Sequence, residues 1–167
     1  KQYWPAMENY NTSIALNQKL GAYPNFQKAI SYGFVDRNFK KISTLEKLIK
    51  DFPNDDLIDD ALFELALVYS EEKQEEKSIS TYDQLIENHK ISPYIGKAAL
   101  NKGLILYNQE KYELAVRVLE DVALSFTKYE IGQQAIITLK EIAIDQGKVK
   151  DFNNWIKNNS LNQFSDI

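Results

Sequence analysis

An internal period of 37 residues constrains this chain more than any other feature. Sliding the sequence against itself by that interval puts Ala29, Ala66, Gly103 and Lys140 in one column, and Tyr32, Tyr69, Leu106 and Ala143 in a second, three residues on. Lys41, Ser78, Ala115 and Phe152 form a third column; Leu45, Tyr82, Leu119 and Ile156 form a fourth, and Leu48, Leu85 and Val122 a fifth. The ends of the repeats align as well, at Phe52-Pro53, His89-Lys90 and Phe126-Thr127. Small residues in the first and third columns let two helices cross closely. The large ones fall at the i, i+3, i+4, i+7 spacing of a buried helical face. A hairpin of two such helices leaves apolar surface that only the next hairpin can bury, so the expected fold is all-α, a solenoid of stacked hairpins.

The pattern predicts helices near 3–18, 24–35, 38–51, 57–71, 75–88, 94–109, 111–125, 129–146 and 149–158. Pro24, Pro53 and Pro93 fall between helices or at their starts, where a missing N–H costs nothing. Gly96, just inside a helix, lowers helix propensity with no local reason for its presence. The expected organisation is one domain over 1–167, cut from a longer chain. It divides into a partial repeat at 1–20, repeats at 23–53, 57–90 and 94–127, and a degenerate last repeat at 129–160.

Composition removes several function classes. The net charge is −4, against the clustered Lys and Arg that nucleic acid or an anionic membrane demands. There is no Cys, so disulfides, zinc–thiolate sites and thiol nucleophiles are absent. No stretch approaches 18 uninterrupted apolar residues, so no transmembrane helix is expected. The chain has one His, His89, with no Ser or Cys partner at a catalytic spacing. Asp55, Asp56, Asp59 and Asp60 precede a helix and favour its dipole; the Gly and closing Glu of a calcium loop are missing. "SEEKQEEKS" (70 to 78) reads as a solvated turn. No phosphate loop or metalloprotease motif occurs, so the reading is non-enzymatic, with no catalytic residue, cofactor or metal.

The columns resemble the tetratricopeptide repeat. "NQEKYELA" (108 to 115) is similar to that family's turn and second-helix start, with Gly103, Leu106, Ala115 and Leu119 at its Gly, Tyr, Ala and aromatic positions and Tyr112 over the turn. The second unit matches through Leu62, Leu65, Ala66, Tyr69, Ser78 and Tyr82, and the first through Ala29, Tyr32, Leu45 and Pro53. Lys41 departs from the usual Ala, which predicts a looser crossing with a snorkelling amine. "YWPAMENYNTSIAL" looks like the second helix of a truncated unit, with Ala6 and Tyr10 in register, and Gly147 falls in the turn of the last one. The spacing, longer than the usual period of about 34, looks like that of Gram-negative cell-envelope members: Tol-Pal-associated, outer-membrane-assembly and large multi-repeat proteins. That resemblance implies a periplasmic or outer-membrane-associated location, with the cytoplasm as the alternative.

The resemblance further implies a right-handed superhelix whose concave face, lined by the first helix of each hairpin, holds a peptide or helix. Counting Gly103 as position 8, position 5 reads Phe26, Phe63, Leu100 and Ile137; position 9 reads Ile30, Leu67, Leu104 and Glu141; position 12 reads Gly33, Ser70, Tyr107 and Ile144. The Lys and Asn of the chaperone-binding carboxylate clamp are missing. The candidate surface is therefore Phe26, Ile30, Phe63, Leu67, Leu100, Leu104 and Tyr107 with a polar rim of Glu64, Lys97, Asn101 and Asn108. Hairpin-on-hairpin packing uses the same columns, and the sequence leaves both readings open. Trp4 and Trp155 read as core or end-cap residues, or as contacts to neighbouring repeats.

The expected function is protein–protein interaction through an apolar groove, with a protein or peptide partner and no nucleic acid. The alternative is an interior segment of a large envelope scaffold that packs on flanking repeats or self-associates. An accessory domain of an enzyme ranks below both.

Overall fold

The computed structural model describes residues 22–164 together with positions 5, 8–10 and 12. Trp4 and Ala6, and most of the helix expected over 3–18, lie outside the described residues. Eight α-helices follow in order: α1 (Tyr23–Gly33), α2 (Asn38–Asp51), α3 (Ile58–Glu71), α4 (Glu75–Asn88), α5 (Ile95–Asn108), α6 (Tyr112–Ser125), α7 (Glu130–Asp145) and α8 (Val149–Asn158). A 3-10 turn closes at Asn162–Phe164. The described residues contain no strand. Two compact units result, Lys1–Tyr94 and Ile95–Ile167.

In the first unit α1 packs on α2, α2 on α3 and α3 on α4. Leu45, Leu48, Leu62, Tyr82 and Leu85 are at most 1% exposed. Ala66 and Ser78 hold the small-residue columns of the α3–α4 crossing, where the Ser78 hydroxyl donates to the Ala66 carbonyl at 2.8 Å. A hydroxyl buried at a crossing needs such an acceptor, and the close approach supplies it. At the α1–α2 crossing the corresponding residue is Lys41. Its stem lies against Gly33, and its Nζ reaches Glu64 on α3 at 2.7 Å. The amine is buried and paired, not exposed at a loosened crossing.

In the second unit α5 packs on α6, and α7 on both; α8 packs on α7. The core runs through Leu106, Ala115, Leu119, Val122, Ala135, Ile136, Leu139 and Ile156. A Cβ on Gly103 would lie 2.6 Å from Leu119 Cδ2, so only glycine admits this leucine at the crossing. Gly96 has the same explanation. A Cβ there would meet the Phe126 ring at 2.9 Å, so the lost helix propensity is exchanged for a seated phenyl ring.

The hairpin turns repeat with the sequence. Asp36, Lys73, Glu110 and Gly147, each 37 residues after the last, have φ of 54°, 59°, 59° and 65°. Each closes a Schellman-type cap. The Arg37, Gln74, Lys111 and Lys148 N–H groups donate back to the carbonyls of Tyr32, Tyr69, Leu106 and Ala143 at 2.7–2.9 Å. Glycine is the usual occupant of this left-handed position, but three of the four turns use a charged residue instead.

Candidate protein-binding surface

The candidate side chains follow from helix register. Positions 5, 9 and 12 of a repeat fall at i, i+4 and i+7, along one edge of the first helix of each hairpin. The neighbouring columns, Ala29, Ala66 and Gly103 with Tyr69 and Leu106, are buried. Beside them Phe26 and Ile30 on α1, Phe63, Glu64 and Leu67 on α3, and Leu100, Asn101, Leu104 and Tyr107 on α5 are all half-buried. Lys97 and Asn108 are exposed. The stripe is thus the margin of the packed face, partly open to solvent on every first helix it was expected on. The α1 and α3 members belong to the first unit and the α5 members to the second.

Several of these residues have partners within their own unit. Phe63 stacks on Tyr94 with ring centroids 4.8 Å apart and planes 18° apart, and tilts against Tyr82 at 6.1 Å. The Tyr94 hydroxyl donates to Asp60 Oδ1 at 2.7 Å, which pushes its pKa up to about 12, with burial adding to the effect. Glu64 is committed to Lys41. Tyr107 donates to Asp145 Oδ2 on α7 at 2.8 Å, and that carboxylate raises the phenol to about 12. Its ring tilts toward Tyr112 at 6.1 Å, the residue expected over this turn. Among the described residues Phe26 enters no aromatic pair.

Tyr94 escaped the sequence reading. It lies just before α5, outside the helical columns, and its stacking on Phe63 spans 31 positions with no motif to signal it.

The acidic cluster is used locally. Asp55 accepts from the Leu57 N–H at 3.1 Å and the Ala22 N–H at 3.3 Å, Asp59 from the Asp60 N–H, and Asp60 from Tyr94. Among the described residues no group of three His, Cys, Asp or Glu side chains is placed to hold a metal. Within the charge run, Glu72 accepts from Asn38 Nδ2 at 2.8 Å, tying the α3–α4 turn to the start of α2.

A second concavity was not anticipated. A groove of about 770 Å³ opens in the second unit between α6 and α8. Its floor includes Leu139 and Ile142 of α7; Tyr112 and Val116 stand on one wall, Phe152 and Trp155 on the other. Phe152 and Trp155 stack at 6.2 Å and 24°. Lys140 and Phe152 explain the opening, because they fill the two columns that hold small residues at the closer crossings of α3–α4 and α5–α6.

Residues 60–90 match the tetratricopeptide repeat. The match coincides with the α3–α4 hairpin, whose small and aromatic columns are the most regular. Solved structures extend the likeness in fold over 96–97% of the chain. MamA superposes at a TM-score of 0.75 with 12% identity, over 96% of this chain and 88% of that one. The nearly identical TPR-like repeats of a Podosopora anserina protein described as a kinesin light chain superpose at 0.69 with 14% identity, over 97% and 87%. A further form of those repeats superposes at 0.70 with 13% identity, over 96% and 86%. No curated protein matches the chain. The shared architecture is an α-solenoid of tetratricopeptide-type hairpins, and repeats of this family generally mediate protein–protein interaction. Among the described residues no helix is long and apolar enough to cross a membrane.

Proposed function

We propose that this chain is a non-catalytic protein-binding module that takes an apolar peptide or helix along the first-helix stripe of its hairpins. The observation that carries the reading is the half-buried state of Phe26, Ile30, Leu67, Leu100 and Leu104 beside the buried Ala29, Ala66, Tyr69, Gly103 and Leu106. An apolar stripe left partly wet on successive first helices favours a ligand that covers it. Lys97, Asn101 and Asn108 supply the polar rim, and the partner is a protein rather than a nucleic acid. The proposed domain is 1–167 of a longer chain, with its five repeat segments, in a periplasmic or outer-membrane-associated setting, the cytoplasm being the alternative.

A photo-crosslinking residue at Leu104, with an equivalent at Lys150 as the off-surface control, tests this in a cell-envelope extract. Adducts specific to position 104, abolished by Ile30→Ser/Leu100→Ser in a folded protein, are the expected result. Equal adducts from both positions would remove the stripe as the binding surface. Phe63 is left unchanged because Tyr94 already covers one face of its ring.

The scaffold reading draws on a different observation. Ile144 and Val149 of the last hairpin are 55% and 38% exposed, apolar surface that a flanking repeat would cover.

A further inference from the structure

The repeat supplies its own control for surface residues. Phe34 and Phe39 flank the α1–α2 turn and are 62% and 83% exposed. In the 37-residue register the equivalents of Phe34 are Glu71, Asn108 and Asp145, and those of Phe39 are Glu76, Glu113 and Lys150. Three hairpins fold with polar groups at both positions, so closing this turn does not require phenyl rings. Two exposed aromatics thus flank one short turn, with Asp36 and Arg37 in the turn and Lys40 at the start of α2. Residues 22–52 hold six basic and three acidic side chains in a chain of net charge −4.

The second unit presents the complement. The α6–α8 groove is walled by Tyr112, Phe152 and Trp155, and its rim carries the carboxylates Glu113, Glu120 and Asp151 with the bases Lys111, Arg117 and Lys148. A cavity of about 150 Å³ holds a benzene ring, so about 770 Å³ accommodates both phenyl groups. Aromatic walls favour ring-on-ring contact, and the rim offers carboxylates to the exposed Lys40 and bases to Asp36. Burial and Asp121 push the Glu120 carboxyl up, and a cation brought alongside relieves that cost.

We propose that the Phe34/Phe39 tip of one copy docks into the α6–α8 groove of a second copy of this chain, a head-to-tail contact. Such a heterologous interface leaves one tip and one groove open after each addition, so copies add onward or close into a ring. The contact uses residues separate from the first-helix stripe, and either reading can fail without the other.

Sedimentation equilibrium over a wide concentration range is the test. Weight-average mass is expected to climb above the single chain with concentration. Phe34→Ser/Phe39→Ser, which changes only exposed positions, is expected to weaken association at least ~tenfold, about the loss of one good anchor. Val116→Arg, which places a charge on the groove wall, should do the same. An equimolar mixture of the two variants retains one intact tip and one intact groove, and is expected to stop at two chains. Because the chain has no Cys, Phe39→Cys in one copy and Val116→Cys in another gives a second readout, a disulfide-linked heterodimer, even if the arginine variant folds poorly. A mass that stays at one chain throughout overturns the proposal. So does association unchanged in the serine variant, or phenylalanine-dependent binding to anionic phospholipid vesicles without any self-association.

Discussion

Lys41 Nζ lies 2.7 Å from Glu64 Oε2 and joins the second helix of one hairpin to the first helix of the next. The lysine side chain is 11% exposed and the glutamate 29%. A charge this buried is tolerated because the pair is hydrogen-bonded, and stranding the more buried lysine amine costs more than stranding the glutamate, which water still reaches. Lys41→Met, which keeps the stem, is expected to stay within about 1 kcal/mol of the parent, whereas Glu64→Ala, which strands the amine, loses about 2 kcal/mol. Urea unfolding of the two variants decides it; equal losses would refute this asymmetry between the two partners.

The α5–α6 crossing rests on a steric agreement between Gly103 and Leu119. Gly103→Ala gains helix propensity of about 1 kcal/mol but drives its methyl into Leu119, an overpacking cost of about 1–3 kcal/mol. A net loss of stability is expected. In a Leu119→Ala background the same change meets empty space and should become neutral or stabilising. A double-mutant cycle reads this coupling directly, and additive effects would refute the contact.

The left-handed turn residues give a prediction of opposite sign at equivalent positions. Lys73 carries a side chain at φ 59°, so Lys73→Gly is expected to stabilise by roughly 0.5–1 kcal/mol, less what glycine adds to unfolded-state freedom. Gly147→Ala is expected to destabilise by about 1 kcal/mol through backbone strain alone, because a Cβ there meets nothing within 4 Å. Thermal melts of both variants test the pair.

Alkaline pH should loosen the first unit at Tyr94. Its hydrogen bond to Asp60 raises the phenol from 10.0 to about 12. A folded-state value above the unfolded one means the stabilisation is whole below pH 10 and fades as the pH climbs toward 12. Tyr94→Phe removes that contribution. The stability difference between parent and variant should therefore shrink between about pH 10 and about pH 12. A constant difference would mean that the hydroxyl proton is not shared with Asp60.

The helices were legible from the columns. Each observed helix from α1 to α8 begins and ends within about two residues of expectation, a normal margin for fraying ends. Leu45, Tyr82, Leu119 and Ile156, read as one column, are all at most 1% exposed. The single turn expected to use glycine does so at Gly147. The other three turns were opaque because Asp36, Lys73 and Glu110 are not residues that announce a left-handed conformation. Lys41 was read as a departure, but its partner lies 23 positions away and only the stacking of hairpins brings Glu64 to it. Gly96 was unexplained for the same reason, since the phenyl ring it accommodates comes from the far end of α6. Register chose the candidate stripe, and the structure adds that Phe63, Glu64 and Tyr107 hold intramolecular partners. The groove beside α8 follows from two bulky residues in small-residue columns, a signal visible as degeneracy and legible as a cleft only in three dimensions.

The recurring left-handed residue has a consequence for how this chain can be edited. Each of the four described hairpins turns at the same register and closes its first helix by the same backbone bond, whether an acid, a base or glycine stands there. The turn therefore keeps one backbone geometry whichever residue occupies it, and a Cβ there changes its cost by about 1 kcal/mol without changing its path. New peptide inserted at Lys73 or Glu110 should be carried as a passenger, and whole 37-residue modules should be exchangeable with cuts placed at these points.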